Sequence, residues 1–217
     1  MDFAKARMNM IECQLRPNKV VNEAVIDAMG VVPRERFVPD NMASVAYVDE
    51  DLPLGGGRFL LEPMVLGRLL QEARPKEEDA ALLIGCGTGY AAAVLGHLVG
   101  AVFALESDSD AASRASDLLS GQGADNVVVV EGPLEKGWPG EAPYNLIVFD
   151  GAVQTVPEAI IEQIAEGGRI IAVISESEAP GRATLIERRN GIISRRLLFD
   201  ANTPSIPELI KSAGFVF

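Results

Sequence analysis

The feature that most constrains this chain is the run Leu82-Leu83-Ile84-Gly85-Cys86-Gly87-Thr88-Gly89-Tyr90, in which an apolar strand feeds a turn of three alternate glycines and the turn opens a helix over 89–98. Glycine reaches backbone conformations closed to other residues and lets N–H groups come close to a ligand. The next strand, 101–105, ends in Glu106, 17 residues beyond Gly89, where a carboxylate can accept both hydroxyls of a ribose. A ligand-free strand-to-helix turn accounts for one or two glycines; three, with an acidic strand end, predict a nucleoside cofactor. Glycine spacing alone serves nicotinamide, flavin and S-adenosylmethionine (SAM) enzymes alike.

The flanking pattern predicts strand 80–84, helix 89–98, strand 101–105, helix 109–121, strand 127–131, strand 145–149, helix 157–165 and strand 168–174. That alternation means a parallel α/β sheet. Residues 183–187 and 192–199 around Asn190-Gly191 form a hairpin signal. In such a sheet ligands sit outside the carboxyl ends of the strands, so the turns at 85–90, 106–108, 132–134 and 150–153 form the expected pocket. Upstream, 3–15 reads as a helix broken at Pro17-Asn18, Asn22 caps a second helix through Met29, and 64–73 is a third. Between them, 49–63 holds three successive glycines and two prolines and reads as a mobile loop able to close over a cofactor. The expectation is a single domain over 1–217, with 1–78 as a helical and loop cover on a core at 79–217.

Composition removes several classes. No apolar run approaches the roughly 20 residues of a membrane span, and no apolar signal stretch follows the N-terminus, so a cytoplasmic protein is expected. A formal charge of −12 argues against a nucleic-acid substrate. Arg182, Arg188, Arg189, Arg195 and Arg196 cluster locally and read as the solvated face of the hairpin. Cys13 and Cys86 have no metal-ligand spacing and read as free thiols; no metal site is expected. The single histidine, His97, reads as structural.

Over most of its length the chain resembles the protein-L-isoaspartate O-methyltransferase family. The resemblance rests on Gln14-Leu15, Val32-Pro33-Arg34-Glu35-Arg36-Phe37-Val38-Pro39, Ala46-Tyr47 with Asp49, Leu52-Pro53-Leu54-Gly55, Pro63 and the stretch from Ile84 to Leu95. It continues through Ala142-Pro143-Tyr144-Asn145-Leu146-Ile147-Val148, Val156-Pro157 and Glu166-Gly167-Gly168-Arg169. The Pro-Arg-Glu-x-Phe-Val-Pro block discriminates, because nicotinamide enzymes have no reason to carry it. The resemblance implies a Rossmann-like methyltransferase fold: a mostly parallel seven-stranded sheet with helices on both faces, extra N-terminal helices and a C-terminal antiparallel hairpin. It implies SAM as cofactor, a protein or peptide substrate, and methylation of isoaspartyl carboxylates in damaged proteins. With the strand-end turns, the candidate cofactor residues are Gly85, Cys86, Gly87, Thr88, Gly89, Tyr90, Glu106, Ser107, Gly132, Leu134 and Asp150, of which the resemblance implies the glycine turn and Glu106. A carboxylate acceptor with pKa near about 4 is already ionised at neutral pH, so the enzyme need only align it and exclude water.

The sequence departs from the family pattern near the site. Where the family has Gly-Gln-Thr-Ile-Ser-x-Pro, this chain has Gly57-Arg58-Phe59-Leu60-Leu61-Glu62-Pro63, with apolar residues at both hydroxyl positions. Leu83 stands for an acidic residue, and Gly132-Pro133 for Gly-Asp. Arg58 is the candidate catalytic residue, as a bidentate carboxylate clamp in place of the hydroxyls, and Glu62 or Asp150 can reach the cofactor's ammonium. Three readings stay open on these residues: the isoaspartyl methyltransferase, a homologue methylating another carboxylate or small molecule, and a catalytically silent scaffold.

Overall fold

The structure, a computed structural model, describes residues 1–176 and 180–210; the last residues of the expected core, 211–217, lie outside that range. Helix α1 (Phe3–Met10) is capped by Asp2, which accepts from the Lys5 amide at 3.0 Å, and continues through a wider turn to Leu15. Helix α2 (Glu23–Val31) begins at Asn22, whose side chain accepts from the Val25 amide. The stretch expected to be loop at 49–63 contains an antiparallel hairpin, β1 (Leu52–Gly55) and β2 (Arg58–Leu60). Gly55, Gly56 and Gly57, at φ 92°, 58° and 76°, are its turn, so the residues that suggested a loop supply the reversal between two short strands. Helix α3 (Pro63–Ala73) opens on a proline, whose missing N–H is unneeded in a first turn.

Strand and helix then alternate through β3 (Ala80–Ile84), α4 (Tyr90–Gly96), β4 (Ala101–Glu106), α5 (Ser109–Ser120), β5 (Val127–Glu131), β6 (Tyr144–Val153), α6 (Glu158–Ile161) and β7 (Ile164–Ile174). The hairpin β8 (Arg182–Arg189) and β9 (Ile192–Asp200) follows, turned by Asn190 and Gly191 at φ 53° and 74°. One seven-stranded sheet has the order β5-β4-β3-β6-β7-β8-β9, parallel through β7 and antiparallel beyond it.

Two expectations are corrected. The helix at 157–165 is a single turn, because the Tyr144 amide donates to the Gln163 carbonyl at 2.8 Å and draws Ile164 into β7. The turn at 150–153 is strand: β6 runs on to Val153, and its register against β7 slips between Val148 and Ala152, bulging at Asp150-Gly151.

Side chains alternate across the sheet with period two. Leu83, Leu146, Val148, Ile171 and Val173 face a core shared with α1 to α5; Leu82, Ile84, Ile147, Phe149 and Ile170 face a second core shared with α6, Ile206 and Leu209. Among the described residues the second face carries the single α-helical turn α6 together with the short 3-10 turns at Leu134–Lys136 and Pro207–Leu209. The strand order reverses between β3 and β6, so the crevice at their carboxyl ends is where a ligand belongs.

Arg169 fastens the opposite end of these strands. Its guanidinium donates to the carbonyls of Ala73 (2.6 Å), Arg74 (2.5 Å) and Asn145 (3.1 Å) and pairs with the buried Asp79 at 2.6 Å. Arg169→Ala strands the Asp79 charge and the last carbonyls of α3, so the expected loss is about 3–5 kcal/mol, read as a lower midpoint in urea unfolding followed by circular dichroism.

Candidate functional site

In the glycine turn, Gly85, Gly87 and Gly89 take φ of 77°, 54° and 92°. The Gly85 and Cys86 amides both donate to the Leu105 carbonyl, at 2.9 and 3.1 Å, which locks the turn to the end of β4. A Cβ on Gly89 would lie 3.1 Å from Leu119 Cδ1, so this glycine lets α4 and α5 approach closely. Thr88 and Tyr90 turn away from the crevice. Thr88 Oγ1 donates to the Phe37 carbonyl at 2.6 Å, and the Tyr90 ring lies 5.0 Å beneath the Arg34 guanidinium. Arg34, fully buried, donates to the carbonyls of Ala46 (2.6 Å) and Leu61 (2.7 Å) and thereby roots the β1–β2 hairpin on the cover. Burial drives the Cys86 thiol far above its ordinary pKa and keeps it protonated and unreactive.

Glu106 closes β4 with a carboxylate that is wholly inaccessible. Oε2 accepts from the Gly87 amide at 2.9 Å, and Oε1 accepts from the Ser107 and Asp108 amides at 2.8 and 3.2 Å. The remaining capacity is taken by Arg58. Its Nε donates to Oε2 at 3.1 Å and its Nη2 to Oε1 at 2.8 Å, a side-on fork. The other edge of the guanidinium forks onto Glu208, Nη1 to Oε2 at 2.9 Å and Nη2 to Oε1 at 2.8 Å, and Ser107 Oγ donates to the same Glu208 Oε1 at 2.8 Å. Arg58 is thus bidentate on both edges, but the carboxylates it holds are the chain's own and not a substrate's. Burial opposes its charge, yet Glu208 and Glu106 more than offset that and raise its pKa. Arg58 in turn holds Glu208 down to about 2.

The rest of the crevice is filled from the same two segments. A Cβ on Gly87 would meet Leu54 Cδ1 at 3.2 Å; one on Gly85 would meet Ile206 Cδ1 at 3.1 Å, and one on Gly151 would meet Ile206 Cγ1 at 2.7 Å. Ile206 therefore stands in the gap between β3 and β6. The segment carrying it is pinned to the bulge of β6, Ala152 donating to the Pro204 carbonyl at 2.9 Å and Ile206 to the Ala152 carbonyl at 2.8 Å. Pro207 packs against Gly57, where a Cβ would clash at 2.6 Å, so hairpin and C-terminal segment close on one another.

The structure brings Gly85, Cys86, Gly87, Glu106, Ser107, Gly132, Leu134 and Asp150 together. The Gly132 amide donates to the Glu106 carbonyl at 3.0 Å, and Leu134 Cδ1 lies 3.7 Å from the Cβ position of Gly85. Asp150, inside β6, receives no hydrogen bond from a described residue, and burial pushes its carboxyl up to about 8. Glu62, at the start of α3, is raised to about 6 by burial and by Asp51 and Asp49. Sequence reasoning missed Leu54, Ile206 and Glu208. Glu208 lies 150 residues from Arg58, and the only local signal was the pair of apolar residues flanking Pro207-Glu208. His97 is exposed at the end of α4. Among the described residues there is no cluster able to hold a metal, and no helix is long and apolar enough to cross a membrane.

The model of the protein-L-isoaspartate(D-aspartate) O-methyltransferase (PCMT) family matches residues 6–200. The chain is 40% identical over 165 residues to protein-L-isoaspartate O-methyltransferase 2 of Anaeromyxobacter sp. (strain Fw109-5), covering 76% of this chain and 68% of that one. It is 35% identical over 188 residues to protein-L-isoaspartate O-methyltransferase of Methanoculleus marisnigri, covering 87% and 86%. A solved protein-L-isoaspartate O-methyltransferase superposes with TM-score 0.80 at 25% identity, over 92% of this chain and 65% of that one. The Plasmodium falciparum structure described as a complex with S-adenosyl-L-homocysteine (SAH) superposes with TM-score 0.79 at 18% identity, a likeness of fold. The chain belongs to the protein-L-isoaspartate(D-aspartate) O-methyltransferase family.

Proposed function

We propose that this protein is a SAM-dependent methyltransferase acting on the side-chain carboxylate of isoaspartyl residues in proteins and peptides. The observation that carries the reading is the family match over residues 6–200, which spans both the Pro-Arg-Glu-x-Phe-Val-Pro block and the glycine turn. The donor set of the crevice suits the cofactor. Gly85, Cys86 and Gly87 present main chain rather than side chains, and Glu106 is oriented by the Gly87, Ser107 and Asp108 amides to accept ribose hydroxyls. Gly132 and Leu134 border the adenine side. Asp150 and Glu62, both acids lifted by burial, are groups that an ammonium would stabilise as carboxylates. When bound, SAM supplies an electrophilic methyl group on a sulfonium.

The chain's own task is then alignment and dryness. An ionised acceptor carboxylate needs no base, which agrees with His97 lying exposed outside the crevice. Phe59 and the buried Leu61 stand at the positions where the family pattern has hydroxyls, so this chain surrounds the acceptor with apolar walls and fewer donors. Beside the hairpin a cleft of about 760 Å³, lined by Phe37, Pro39, Leu54, Arg58, Thr88 and Arg114, gives a peptide a route to the site. Cys13 and Cys86 are unpaired, in keeping with a reducing, cytoplasmic setting. Incubation with SAM is expected to form a base-labile methyl ester on an isoaspartyl peptide and none on the matching aspartyl peptide. Ester on neither, with SAH bound, would favour another acceptor.

Asp150 yields a pH prediction. Its native carboxyl keeps a proton to about pH 8, whereas the unfolded chain releases it near 4, so stability falls as pH rises across that window. Asp150→Asn removes the penalty. Thermal melts should show the variant more stable than wild type by on the order of 2 kcal/mol at pH 8, with the gap narrowing toward pH 5.

A further inference from the structure

We infer that Arg58 is an internal occupant of the ribose subsite, and that the β1–β2 hairpin and the segment 201–210 form a two-part plug which the cofactor must displace. The inference rests on the proposed use of SAM. Three observations carry it. First, the carboxylate assigned to the ribose is inaccessible, and its two oxygens are shared among three main-chain amides and both donors of one guanidinium edge. No acceptor capacity remains for a diol until Arg58 leaves. Second, the crevice between β3 and β6 is closed by Ile206, against both Gly85 and Gly151, and the approach to Gly87 is closed by Leu54. Third, the two segments are latched together by the Arg58–Glu208 fork and by Pro207 on Gly57.

One member of the latch departs from the family pattern. Arg58 stands at the glutamine position of the family's Gly-Gln-Thr-Ile-Ser-x-Pro pattern. Arg58 also borders the 760 Å³ cleft, whose lining carries Asp40, Asp108, Asp110 and Asp117 against Arg36 and Arg114, so a released guanidinium meets more carboxylates than cations there. Two arrangements of the hairpin are thereby provided with partners, one latched on Glu106 and Glu208 and one open. Cofactor affinity is then the intrinsic affinity reduced by the fraction of molecules that are open.

Glu208 separates the latch from the contacts made to the cofactor: it holds Arg58 and the Ser107 hydroxyl, whereas the part given to Ser107 at the ribose is its main-chain amide, which orients Glu106. SAH is titrated calorimetrically into wild type and Glu208→Gln, and backbone hydrogen exchange at 54–60 and 201–206 is followed with and without SAH. Glu208→Gln is expected to bind SAH about tenfold more tightly, and SAH is expected to speed exchange at both segments in wild type. Equal affinities, with exchange unchanged or slowed by SAH, would overturn the plug while leaving the methyltransferase reading intact. Absence of SAH binding by both proteins at millimolar ligand would overturn the competition and the cofactor reading together. Tighter binding by the variant without an isoaspartyl ester would support the plug and remove only the proposed acceptor.

Discussion

A guanidinium shared between two carboxylates sets the state of this molecule. Arg58 is 5% exposed and Glu106 not at all, so each would be costly alone; they are tolerable because every fork is matched and the carboxylate is further held by amides. The hairpin can lie where it does only because Glu106 receives its arginine, and the C-terminal segment can lie where it does because Glu208 takes the other edge. Even the glycines follow: Gly57, Gly85, Gly87 and Gly151 are the places where Pro207, Ile206 and Leu54 press on the main chain.

The parts of the fold governed by short-range rules were legible. Strand 127–131 and the cap at Asn22 appear where periodicity and capping put them, and Asn190-Gly191 turned the hairpin its positive φ values allow. The misreadings share one cause, tertiary pairing that local pattern cannot carry. Gln163 ends α6 because its carbonyl is needed by Tyr144 across the sheet, and the 52–60 glycines join strands because those strands have each other. The site divides the same way. The glycine turn and Glu106 are readable from a βαβ unit of some 25 residues. That Arg58 would turn inward onto Glu106 required Glu208, and nothing in the spacing of residues so distant announces a contact.

The structure also separates what the chain shares with its relatives from what is its own. The amides of Gly87, Ser107 and Asp108 hold Glu106 in place whatever else is bound, so the carboxylate is preorganised as a hydrogen-bond acceptor and not created by Arg58. Leu83 sits fully buried in the first core and forms part of no polar network, so the loss of an acid there removes a potential contact without disturbing the sheet. The occupants Arg58, Leu54 and Ile206 come from segments outside the strand-turn-helix unit.

Two carboxylates at one crevice have been given opposite surroundings. Glu106 is saturated with donors; Asp150, at the bulge of β6, has none from the described residues and retains its proton to about pH 8. The crevice therefore carries a compensated anion at the end of β4 and a protonated acid at the bulge of β6, which leaves little uncompensated charge between them. On the proposed reading, a ligand bearing hydroxyls and an ammonium reverses both conditions at once: the hydroxyls replace the donors of Arg58, and the ammonium gives Asp150 a partner. Hydroxyls are weaker partners for Glu106 than a guanidinium fork, so displacing Arg58 draws on the ligand's other contacts as well. Under the inferred plug, opening of the crevice is coupled to recognition of the ligand, so that selectivity arises from the work of unlatching as well as from the contacts made afterwards.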